Sequence, residues 1–235
     1  MNASLLVEPA TLDGDRVEVE GEDHRHLFRA RRLGPEAVIR VTDGAGRQRS
    51  ATVIDVDRRR AEIELGDWLP SPRPARPLSI FVATPRAERA RWLVEKLVEL
   101  GVHRICFVLS ERVNHPVGRQ LDRLERVAKS ALLQCGSARL PILEERGWKD
   151  LEPVGDEATE RAFLLAPRAE HSLVEASALL DADEPVALWF GPEGGFTERE
   201  EQALLTRGAR AVHLGPMVLR VETAAIVAAG VLLAR

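Results

Sequence analysis

The chain has 235 residues, 45% of them hydrophobic and 30% charged, with 33 basic against 37 acidic side chains and a formal net charge of −4. That length allows one large domain or two unequal ones, and the apolar fraction is too high for a mainly disordered chain. The longest apolar stretch, Thr223 to Ala234, is well short of the roughly 20 residues a spanning helix needs, so it excludes a membrane span and reads as a buried helix.

The opening Met1-Asn2-Ala3-Ser4-Leu5-Leu6-Val7-Glu8 carries no basic leader and meets an acid early, which predicts no secretory signal and a cytoplasmic protein. Short alternating runs follow at Val17 to Val19, Ala37 to Val41, Ala51 to Val56 and Ala61 to Leu65, with turn signals at Asp43-Gly44 and Asp57-Arg58. A period of two with frequent turns predicts a small β-barrel, interrupted by one helical piece around His24 to Arg32. The run Leu69 to Pro77 holds four prolines. Each removes a backbone donor and favours an extended chain, which places a domain boundary there: a barrel over 1–70, a linker over 71–77 and a second domain over 78–235.

Beyond the linker, continuous apolar runs at Leu78 to Ala83, Ile105 to Leu109, Ala162 to Ala166, Val186 to Phe190 and Ala211 to Leu214 suit parallel strands buried on both faces. Helical periodicity separates them. Residues 88–100 gather Ala90, Leu93, Leu97 and Leu100 on one face and stop at Gly101, a natural C′ residue. Residues 119–135 gather Leu121, Leu124, Val127, Ala128, Ala131, Leu132 and Cys135, leaving Arg119, Arg123 and Arg126 opposite. Thr197-Glu198-Arg199-Glu200 is a capping box. The alternation predicts an α/β domain with a mostly parallel sheet. Cys106 and Cys135, with no His or Cys beside them, are expected in the core, and the six scattered histidines, His115 among them, predict no metal.

Charge is unevenly spread. Residues 1–72 hold 11 basic and 14 acidic side chains, residues 73–147 hold 14 and 8, and residues 148–235 hold 8 and 15. The middle third is therefore basic inside an acidic protein. Only Lys96, Lys129 and Lys149 are lysines; the arginine excess fits either a compositional bias of the genome or bidentate phosphate recognition.

Three late strands run into glycine- and proline-marked loops: Leu164 to Pro167, Gly191 to Phe196 and Leu214 to Met217. Ligands of parallel sheets bind outside the carboxyl ends of the strands, so these loops define a candidate pocket. The phosphate-cradling patterns G-x-x-x-x-G-K-[ST] and G-x-G-x-x-G are absent, which leaves an adenosine-like ligand without a phosphate tail. Arg220 and Glu222, two residues apart between apolar segments, read either as chemistry or as a structural ion pair and helix N-terminal charge.

Gly191 to Phe196 (GPEGGF) and Leu214 to Ala224 (LGPMVLRVETA) resemble the two cofactor-loop motifs of the RsmE-type 16S ribosomal-RNA uridine-N3 methyltransferases, of the SPOUT class. Glu95 to Val102, Ser110-Glu111-Arg112, and Gln134-Cys135-Gly136 with Arg139 and Pro141 resemble further family motifs. The resemblance implies a PUA-like barrel that helps hold RNA, and an α/β domain with a deep trefoil knot and helices on both faces of a parallel sheet. It also implies a homodimer across the knot that acts on 16S ribosomal RNA or the small ribosomal subunit. It implies an S-adenosylmethionine pocket at Leu165, Gly191, Glu193, Gly194, Leu214, Gly215, Met217 and Leu219. Glu222 would remove or orient the N3 proton, and Arg220 would stabilise the resulting charge or position the base. RNA phosphates would meet Arg25, Arg29, Arg31 and Arg32 of the first domain, and Arg86, Arg89, Arg91, Arg112, Arg119, Arg123, Arg126 and Arg139.

The sequence departs from the family pattern at Met217, where Arg is usual, at Val221 for Thr, Leu133 for Glu and Ser137 for Arg, and it lacks an early Arg. Two alternatives follow: a methyltransferase for another RNA site, or a non-catalytic RNA-binding protein of the same fold. The absence of Tyr and the few aromatics predict little recognition by base stacking.

Overall fold

A computed structural model of the chain describes residues 3–113, 116–151 and 160–234, save the side chain of Arg119; His115 therefore lies outside the described residues. One compact unit comprises Met1–Pro72 with Lys129–Leu140, and the other comprises Arg73–Ala128 with Pro141–Arg235.

The first unit is built on a five-stranded sheet of β1 (Ser4–Leu6), β2 (Arg16–Glu20), β3 (Val38–Thr42), β4 (Gln48–Val56) and β5 (Arg60–Trp68), in the order β1-β3-β4-β5-β2. All its pairings are antiparallel except β1 with β3. Two short helices, α1 (Pro9–Leu12) and α2 (Gly21–His24), accompany it, and α2 runs on into a π-helical turn over Arg25–Ala30. The predicted alternation holds in β2, where Val17 and Val19 are buried and Arg16, Glu18 and Glu20 are exposed. These valines join Leu5, Ile39, Val41, Val53 and Ile63 in one core. β1 carries no readable period because it has only three residues.

The β3–β4 turn is organised by Asp43. Its Oδ1 accepts from the amides of Ala45 and Arg47 at 2.8 and 3.1 Å, and its Oδ2 accepts from Arg47 Nε at 2.7 Å. Gly44 then takes φ +69°, where a side chain is disfavoured. Segment 136–140 pairs with this turn: Gly46 N–H donates to Ala138 O and Leu140 N–H to Gly44 O, both at 2.8 Å. Arg40 fastens the same segment by donating from Nη1 to Gly136 O at 2.9 Å, and it donates from Nη2 to Ser4 Oγ at 2.7 Å.

The second unit carries a six-stranded, fully parallel sheet: β6 (Leu78–Ala83), β7 (Arg104–Leu109), β8 (Ile142–Gly147), β9 (Arg161–Leu165), β10 (Val186–Phe190) and β11 (Arg210–Val212), ordered β11-β9-β10-β6-β7-β8. Five of these follow the apolar runs. The sixth, β8, reads ILEERG and is an edge strand paired only with β7, with no residue fully buried, so it carries charged side chains and leaves no continuous apolar signal.

Helices α3 (Ala87–Glu99), α4 (Leu121–Cys135), α5 (Leu173–Ser177), α6 (Glu198–Thr206) and α7 (Val221–Leu233) complete the chain. Phe81, Cys106, Val108, Leu164 and Trp189 share one sheet face with Leu204 of α6. Trp189 stacks on Phe81 with ring centroids 4.2 Å apart. α7 packs against α3, β6 and β10, and α3 buries Leu93, Val94, Leu97 and Val98 before Gly101 turns the chain at φ +80°. The Thr197–Glu200 capping box is reciprocal, and a second one, Ser172 with Glu175, opens α5.

Two expectations change. Cys106 is buried but Cys135 is exposed, because it ends α4 just where Gly136, at φ +86°, leads the chain away. α7 buries Glu222, Ala225, Ala228, Ala229 and Leu232 but leaves Val227 42% exposed, so it is covered on one side rather than all round. Among the described residues, no helix is long and apolar enough to cross a membrane.

Candidate active site

Phe190 pairs with Leu165, and Val212 with the same Leu165. Strands β9, β10 and β11 therefore end level, and their loops open on one point. They enclose a cavity of about 420 Å³ lined by Leu165, Ala166, Pro167, Phe190, Gly191, Glu193, Phe196, Leu214, Gly215, Met217, Leu219 and Arg220, among others. Seven of the eight predicted cofactor residues lie in this wall. Gly194 does not; it belongs to the same loop, with its carbonyl turned to Arg112.

The loop geometry depends on two glycines. A Cβ on Gly191 would stand 2.8 Å from the amide nitrogen of Phe196, so the chain can close on itself only there. Gly215 has φ +125°, and its amide donates to His213 Nδ1 at 3.0 Å. Glu201, in the first turn of α6, also lines the cavity. Nothing in its sequence context distinguishes it from a surface acid.

Arg220 is the N-cap residue of α7 and Glu222 lies in the first turn, where a carboxylate is favoured by the helix dipole. The Glu222 side chain is only 7% exposed; Arg89 Nε lies 3.5 Å from its Oε1, and its Oε2 has no hydrogen-bond partner. The same Arg89 guanidinium donates to Glu193 on the glycine loop. The hydrogen bond to Glu193, and then the charge of Glu222, push Arg89 above its ordinary value. Glu193 is held below the usual carboxylate range, first by the hydrogen bond from Arg89 and then by its charge.

A second cavity, of about 350 Å³, adjoins Glu222 and is lined by Glu88, Arg89, Trp92, Arg220, Glu222 and Thr223. Trp92 went unnoticed in the sequence because it stands on the outer face of α3, outside the periodic apolar set.

The predicted RNA-contacting arginines divide into groups. Arg112 reaches the carbonyls of Gly194, Gly195 and Phe196, the last two at 3.2 and 3.3 Å, and so braces the glycine loop. With Arg89, it is engaged inside the second unit. Arg86, Arg91, Arg123 and Arg126 are exposed on the same unit, while the side chain of Arg119 lies outside the described residues. Arg25, Arg29, Arg31, Arg32 and Arg139 belong to the first unit and are exposed. Arg29 donates to Arg58 O at 2.7 Å.

The second unit is thus a parallel sheet whose strand-end loops enclose one cavity, in a chain that also carries a five-stranded unit. The family model for the RNA methyltransferase domain matches residues 71–233, and that for the RNA methyltransferase PUA domain matches residues 19–66. The ribosomal RNA small subunit methyltransferase E of Mycobacterium bovis is 31% identical over 90% of this chain and 84% of its own length. The crystal structure of that enzyme from Neisseria gonorrhoeae, bound to S-adenosyl methionine, superimposes with a TM-score of 0.88 at 25% identity, covering 98% of this chain and 96% of the other. A probable rRNA-methyltransferase from Porphyromonas gingivalis gives 0.83 at 28% identity, covering 99% and 98%. The chain belongs to the ribosomal RNA small subunit methyltransferase E family.

Proposed function

We propose that the protein methylates N3 of a uridine in 16S ribosomal RNA, with S-adenosylmethionine as methyl donor. The observation that carries this reading is the cavity closed by three level strand ends, with Arg220 on its wall and the buried Glu222 two residues further along the chain.

The residues present fit the cofactor. The cavity has the volume of a small-molecule site and mostly apolar walls with a few polar groups. Leu165, Leu214 and Leu219 offer apolar surface to an adenine, Gly191 and Gly215 allow close backbone approach, and the carboxylates of Glu193 and Glu201 suit ribose hydroxyls or a sulfonium charge. Met217 closes the rim, and Gly194 shapes the loop behind it. When bound, S-adenosylmethionine supplies an electrophilic methyl group.

N3 of neutral uridine carries a proton on the Watson–Crick edge, so the base must be unpaired or flipped to react. Glu222 accepts or orients that proton, and Arg220 stabilises the charge spreading onto the carbonyl oxygens. The exposed Arg86, Arg91, Arg123 and Arg126 meet phosphates, joined by Arg119 and by Arg25, Arg29, Arg31, Arg32 and Arg139 of the first unit. The barrel of 1–70 serves as the RNA-holding domain, linked through 71–77 to a knotted methyltransferase domain of 78–235. In this reading the protein works in the cytoplasm on 16S RNA or the small ribosomal subunit, as a homodimer.

Titration calorimetry with S-adenosylmethionine tests the cofactor step. One site per chain is expected, and a folded protein that binds none contradicts the proposal.

A further inference from the structure

Resting on the methyl-transfer reading, we infer that the second cavity receives the uracil ring, stacked on Trp92 and recognised along its imide edge by Arg89, Glu222 and Arg220. Three observations converge on it. Arg220 lines both cavities, so a donor held in one adjoins an acceptor held in the other. Trp92 lines the second cavity and is 45% exposed, although its neighbours Leu93 and Val94 on α3 are fully buried. A planar indole left in solvent beside polar groups offers a stacking face. The Glu222 side chain is more than nine-tenths buried, yet its Oε2 has no partner, and such a group calls for a ligand or a function.

The polar set matches one base edge. Uracil presents carbonyl acceptors at O2 and O4 on either side of the N3–H donor. The cavity is lined by two guanidinium groups, Arg89 and Arg220, and by the Glu222 carboxylate, whose Oε2 is free to accept. Cytosine has an acceptor at N3 and a donor at N4, so it would set acceptor against acceptor at Glu222 and donor against donor at one arginine. The cavity therefore selects uracil, and a single indole suffices because only one base is flipped. The scarcity of aromatics elsewhere does not bear on it.

The test uses the full-length protein, labelled S-adenosylmethionine, and unmodified 16S RNA supplied both free and as small subunits. Trp92→Leu keeps apolar bulk without a ring and is expected to lower kcat/KM for RNA at least 10-fold while S-adenosylmethionine affinity stays within 2-fold. Trp92→Phe is expected to recover most of the loss. Wild-type kcat/KM in Trp92→Leu, or equal losses in the Leu and Phe variants, overturns the stacking site while leaving the methyl-transfer reading intact. A wild-type protein that methylates neither RNA form overturns that parent reading, and the inference with it.

Discussion

Arg89 Nε lies 3.5 Å from Glu222 Oε1, and the same guanidinium donates to Glu193. One side chain of α3 thereby ties the glycine loop after β10 to the first turn of α7, the two segments that carry the family motifs. Arg89→Met breaks both ties and leaves the buried Glu222 carboxylate without its counter-charge. Turnover is expected to fall at least 10-fold, about 1.4 kcal/mol of barrier, with a smaller loss of cofactor affinity. Arg89→Lys keeps the charge but not the two-sided reach, and falls between. Single-turnover rates and calorimetry on the three proteins check this order.

The same ion pair has a pH sign. The Glu193 carboxyl is depressed in the folded protein, so the pairing is present above the ordinary carboxylate range and is lost as pH falls through the folded value. Glu193 is largely exposed, so added salt is expected to weaken the pairing as well. An NMR titration of Glu193, repeated in Arg89→Met, should show the carboxyl moving up towards about 4.3.

Glu222→Gln keeps the side-chain shape and removes the proton acceptor. Cofactor affinity is expected to be unchanged and turnover to drop 10-fold or more, about 1.4 kcal/mol. Wild-type turnover in this variant removes Glu222 from the chemistry and leaves it the role of helix N-terminal charge.

The sequence carried the frame of this site but not its wiring. Leu78–Ala83 and Val186–Phe190 are strands with the bounds of their apolar runs, because a central parallel strand is buried on both faces. β8 escaped because an edge strand needs no apolar run, and α5 escaped because five residues are too few to show a period. The glycine loops were legible from composition and from the family resemblance. The ties of Arg89 to Glu193 and Glu222, and of Arg112 to the glycine-loop carbonyls, were not. They join residues far apart in the chain, and only the sheet order, with β10, β6 and β7 side by side, brings the segments after these strands together. An arginine-rich basic segment reads as an RNA surface whether its members face phosphate or brace a loop.

Gly191→Ala places a Cβ 2.8 Å from the Phe196 amide nitrogen. Backbone atoms must shift, so the glycine loop is expected to open and S-adenosylmethionine affinity to fall at least 10-fold, with about 1–3 kcal/mol lost in stability. Calorimetry and thermal unfolding check both effects.

In the first unit, burial pushes the Asp43 carboxyl up, and the hydrogen bonds from the Arg47 side chain and from the Arg47 and Ala45 amides outweigh it, leaving the group below its ordinary value. Its contribution to stability is therefore present above about pH 4 and lost as pH falls through the folded value. Asp43→Asn is expected to cost about 1–3 kcal/mol at neutral pH, with the difference from wild type shrinking in acid. Urea unfolding at a series of pH values measures it.

Nucleoside mass spectrometry of 16S RNA from a strain lacking the gene tests the methyl-transfer reading most directly. The expected result is loss of 3-methyluridine, restored by the wild-type protein and not by Glu222→Gln. Unchanged 3-methyluridine in the deletion strain contradicts 16S RNA as the substrate.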